Sequence, residues 1–170
     1  MFSPKSGDST VILTIPMRAE YVSIARLTAA GVANRLGFDI ETIEDIKVSL
    51  SEVCNRIINT QIKLAVEDYT ECKIQFILSR DSLGIEFYID NINKLEFFAP
   101  DGSSIQGDVD GAGLTACNGG AGGDPPTSGD RQMEEYYEDQ LQLSLITLLM
   151  DEFVVNPKES CLVSMKKYLD

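Results

Sequence analysis

Apolar and β-branched residues fill Thr10 to Ile15, which predicts a strand halted by Pro16. From Glu20 to Leu36 the spacing turns helical, with Val22, Ala25, Ala29 and Ala33 on one face beside Leu27 and Val32. Gly37 follows as a C-terminal stop. Asp39 is placed to cap a second helix, and Glu41 and Glu44 suit its opening turns. Ile43, Ile46, Leu50, Val53 and Ile57 then recur at three- and four-residue spacing, an amphipathic helix running to about Thr60. Cys72 to Leu78 and Leu83 to Asp90 read as two strands joined through Ser79-Arg80-Asp81-Ser82, a β-hairpin. From Asn91 to about Arg131 neither period holds. Gly119-Gly120-Ala121-Gly122-Gly123-Asp124-Pro125-Pro126 disfavours both regular structures. A third helix is expected from about Gln132 to Met150, with Leu141, Leu145, Leu148 and Leu149 as its core face. The last strand is Cys161 to Tyr168, preceded by a short one at Phe153 to Val155.

Strand, two helices, hairpin, irregular stretch, helix, strands: this order predicts an α+β fold. It is a two-layer α/β sandwich, its mostly antiparallel sheet covered on one face by helices. A chain of 170 residues fits one domain, since domains commonly run to ~100–200 residues. The expectation is a single domain over 1–170 with a Gly-rich lid or insertion at about 92–131. Such long loops in compact domains serve as lids or are disordered insertions.

Composition narrows the chemistry. The chain has no histidine, so imidazole catalysis, a catalytic triad and a histidine metal site are excluded. Cys54, Cys72, Cys117 and Cys161 are scattered without C-x-x-C spacing, which disfavours zinc and suits reduced cytosolic thiols. No metal site is expected. No apolar run approaches the ~20 residues that span a bilayer, and Met1 to Asp8 lacks a secretory pattern, so a cytoplasmic location is expected. The net charge of −13 opposes binding to nucleic acid or anionic membrane. It equally suits plain solubility or the steering of a basic protein partner.

The run Glu20-Tyr21-Val22-Ser23-Ile24-Ala25-Arg26-Leu27-Thr28, continued by Gly31-Val32-Ala33-Asn34-Arg35-Leu36-Gly37-Phe38, resembles the first helix of the sigma-B-type anti-sigma factors. These are serine-protein kinases of the histidine-kinase-like ATPase fold. The resemblance continues through Ile43-Glu44-Asp45-Ile46-Lys47-Val48-Ser49-Leu50-Ser51-Glu52-Val53-Cys54 and returns in Leu149-Met150-Asp151-Glu152 and Met165-Lys166-Lys167-Tyr168-Leu169. It implies a homodimer that regulates transcription in a stress response. Such a protein holds a sigma factor inactive and phosphorylates a serine of an anti-anti-sigma antagonist with Mg-ATP. Arg26 matches an arginine of the partner-binding face. Outside that resemblance, Arg26 reads as an ordinary solvated helix residue.

The resemblance also implies three nucleotide boxes, and each departs from the family. Glu52 matches the glutamate that acts as general base on the substrate hydroxyl. Four residues on, the family places a magnesium-ligating asparagine, and this chain has Arg56. A guanidinium offers donors and no lone pair. Asn55 and Asn59 do not replace it, because one position is ~100° around a helix. Asp90 matches the aspartate that hydrogen-bonds adenine, but the glycine expected two residues later is Ile92. Asp90 is equally suited to start a turn before Asn91. The glycine-rich phosphate box entering the last helix becomes Asp139, Gln140, Leu141, Gln142 and Leu143, with Glu138 beside it. Carboxylates there would repel ATP. Gly111-Ala112-Gly113-Leu114 is a weaker candidate phosphate loop than a flexible insertion.

Three readings follow. The first is a regulator that sequesters a sigma factor or related partner, with a non-functional ATP site and no cofactor. The second is an active serine-protein kinase with Glu52 as base, Asp90 on adenine and Mg-ATP as cofactor. The third is a pocket for another small ligand, lined by Ile92 and Leu143. The lost boxes favour the first, a pseudokinase.

Overall fold

A computed structural model describes residues 7–63, 70–89, 141, 143–155 and 161–169. Its strands are β1 (Ser9–Pro16), β2 (Glu71–Leu78), β3 (Ser82–Ile89), β4 (Glu152–Val155) and β5 (Cys161–Tyr168). Its long helices are α1 (Ala19–Leu36) and α2 (Ile40–Lys63), and a shorter helix, α3, runs through 143–149. The strands form one antiparallel sheet in the order β1-β2-β3-β5-β4. This is the two-layer α+β arrangement of the histidine-kinase-like ATPases. The stretch at 92–131, with Gly111 to Leu114, lies outside the described residues, as does the expected start of the third helix at 132–140.

Side-chain alternation divides the sheet. Cys72, Ile74, Phe76 and Leu78 of β2 and Leu83, Ile85, Phe87 and Ile89 of β3 join the core beneath the helices. Ile74 pairs with Phe87, and Ile85 pairs with both Phe76 and Met165, so apolar rows cross three strands. Phe76 and Phe87 are fully buried, and removing such a side chain from water is worth ~1.5–3 kcal/mol. Glu86, on the other face of β3, is also buried and accepts a hydrogen bond from Tyr88 Oη at 2.5 Å.

Two helix boundaries follow from single residues. Gly37 has φ of 93° and ends α1, with Gly37 N–H donating to Asn34 O at 3.1 Å and Phe38 N–H to Ala33 O at 3.3 Å. That pair of bonds is a Schellman cap, and Phe38, the residue after Gly37, is buried. Asp39 opens α2, its Oδ1 accepting from Thr42 N–H at 2.7 Å. α2 then buries Ile46, Leu50, Val53 and Ile57, as their spacing predicts.

The core faces of the other helices differ in detail from the sequence-based expectation. In α1, Ala25, Ala29, Val32 and Ala33 are buried, but Leu27 is 72% exposed. Leu27 lies two residues from Ala25 and Ala29, so the ~100° step turns it off the face they share. Around α3, Leu141, Leu145 and Leu148 are exposed, and Ile146 and Met150 fill the core instead, with Leu143 packed against it. The apolar residues there surround the helix, so spacing alone does not select one face. Lys167 ties the end of this segment to β5, donating from Nζ to Leu149 O at 3.0 Å and Asp151 Oδ1 at 3.2 Å.

Candidate functional site

α2 carries the residues nearest to chemistry. Ser49, Glu52 and Arg56 are three and four residues apart, so they fall within about 60° of arc at 100° per residue. This polar stripe borders the apolar face of Ile46, Leu50 and Val53, which packs into the core. Its position explains why two of its members are hidden. Ser49 is 0% exposed and Arg56 is 5% exposed, whereas Glu52 is half-buried.

The three side chains differ in their bonding. Ser51 and Thr60, elsewhere on α2, satisfy their hydroxyls on Lys47 O at 2.7 Å and Arg56 O at 2.9 Å. Ser49 Oγ has no such partner among the described residues. Glu52 forms no ion pair or side-chain hydrogen bond among them either, which leaves its carboxylate able to accept a proton or a donor. Arg56 is engaged within the fold. Burial of a guanidinium costs several kcal/mol unless it is paired, so its interior position is a fixed feature of this helix. A guanidinium offers donors and no lone pair, so Arg56 cannot serve as a cation ligand there.

Arg26 lies on α1, half-buried, and no ion pair occupies it among the described residues. No hydrogen bond or ion pair joins it to Glu52. Asp90, Ile92 and the segment Glu138 to Gln140 lie outside the described residues, as does Gln142. The structure therefore brings Glu52 and Arg56 onto one face and leaves Asp90 undescribed. Ser49 was not singled out by sequence reasoning. Its signal was the Ser-x-x-Glu-x-x-x-Arg spacing of a single helix face, visible only once that face is known to border the core.

Among the described residues no cluster of three Asp, Glu or Cys side chains gathers to hold a metal. Cys54 and Cys72 are buried, and burial pushes the Cys54 thiol up to about 12. The Cys72 thiol is pushed higher still, by burial first and by neighbouring Cys54 second. Both are thereby unsuited to act as nucleophiles.

No family model matches the chain. Individual proteins do. It is 36% identical over 157 residues to Serine-protein kinase RsbW of Bacillus cereus (strain G9842), a match covering 92% of this chain and 83% of that protein. It is 35% identical over 157 residues to the proteins of the same name from Bacillus mycoides (strain KBAB4) and Bacillus thuringiensis subsp. konkukian (strain 97-27), with the same coverage.

Proposed function

The chain belongs to the RsbW family of serine-protein kinases, and from that premise we propose an anti-sigma-type regulator that works by sequestration alone. In this reading it holds a sigma factor or a related protein through the α1 face that carries Arg26. It acts as a homodimer in the cytoplasm, and its ATP site does no chemistry. Among the described residues no helix is long and apolar enough to cross a membrane. The net charge of −13 suits a basic partner.

One observation carries the proposal. Arg56, one turn beyond Glu52, is 5% exposed where the resemblance places a magnesium ligand. A guanidinium carries donors and no lone pair, so it does not ligate a cation. Among the described residues, this replacement of the magnesium ligand supports a site that does not use Mg-ATP.

A second reading, an active kinase acting on an anti-anti-sigma protein, is favoured by the names of the relatives, which are serine-protein kinases. It keeps the half-buried Glu52, unpaired among the described residues, as the base.

Thermal unfolding with and without millimolar Mg-ATP separates the two. Ligand at ~100 times its dissociation constant stabilises a fold by ~2.7 kcal/mol, and each kcal/mol moves the midpoint of a chain this long by ~2–4 °C. The expected result is an unchanged midpoint. A rise of several degrees, with phosphate transfer abolished in Glu52→Gln, would replace sequestration by the kinase.

A further inference from the structure

We draw no further inference here: the strongest candidate, the exposed apolar stripe of Leu141, Leu145 and Leu148 along α3, is a surface patch for which nothing among the described residues shows what covers it.

Discussion

Replacing Gly31 and Gly37 separately by alanine makes one chemical change in two opposite backbones. Gly31 lies inside α1, and a Cβ there meets no atom within 4 Å. Alanine is ~0.8–1.0 kcal/mol more favourable than glycine in a helix interior, and an exposed methyl adds little else. Gly31→Ala should therefore stabilise the fold by ~1 kcal/mol. Gly37 also has open space around it, but its φ is 93°. A side chain in the left-handed region costs ~1–2 kcal/mol. The loss of unfolded-state freedom returns ~0.4–1 kcal/mol of this. Gly37→Ala should therefore destabilise by up to ~1.6 kcal/mol, with the Schellman bonds from Gly37 and Phe38 under strain. The two midpoints should separate by ~2–10 °C, given ~2–4 °C per kcal/mol at this chain length. Circular dichroism on heating reads the separation, and a urea titration with unchanged slope confirms that both variants unfold from the same compact state. If Gly31→Ala proves less stable than the parent, or if both changes move the midpoint the same way, the reasoning from backbone conformation fails.

The remaining predictions concern titration and thiols. The carboxyl of Asp39 is held below its ordinary value of 3.8, chiefly because it accepts the Thr42 N–H and secondarily through the Thr42 hydroxyl. Its capping contribution is therefore complete above that value and is lost as pH falls through the lower folded-state value. Asp39→Ala should be less stable than the parent at neutral pH and converge with it in acid. Asp39→Asn should keep the cap and lose its pH dependence, and thermal midpoints across an acid series check both. With the Cys54 thiol pushed up to about 12, pH 8 leaves about one thiolate in ten thousand. Iodoacetamide followed by peptide mapping should leave Cys54 and Cys72 unlabelled in the native chain and label both after unfolding. Rapid native labelling of either would contradict their burial.

Local chemistry made much of this protein legible from its residues. α2 has one unambiguous apolar face, so Ile46, Leu50, Val53 and Ile57 identified both the helix and its buried side. Gly37 and Asp39 marked a helix end and a helix start, because a left-handed backbone and an N-terminal cap depend on one residue each. Glu52 and Arg56 were readable as neighbours on one face from their spacing. Tertiary structure decided what local spacing leaves degenerate. Leu141, Leu145 and Leu148 compete with Ile146 and Met150 around α3, and only the position of the sheet selects the latter pair. Leu27 looked like a core residue and lies on an open shoulder, because the side of α1 that is covered depends on where α2 and the sheet lie. The insertion of β5 between β3 and β4, and the placing of β1 at an edge, are pairings between distant segments that no local pattern encodes. Burial of Arg56 belongs to the same class: the residue type excluded a metal ligand, but only packing around α2 made its charge a fixed interior one.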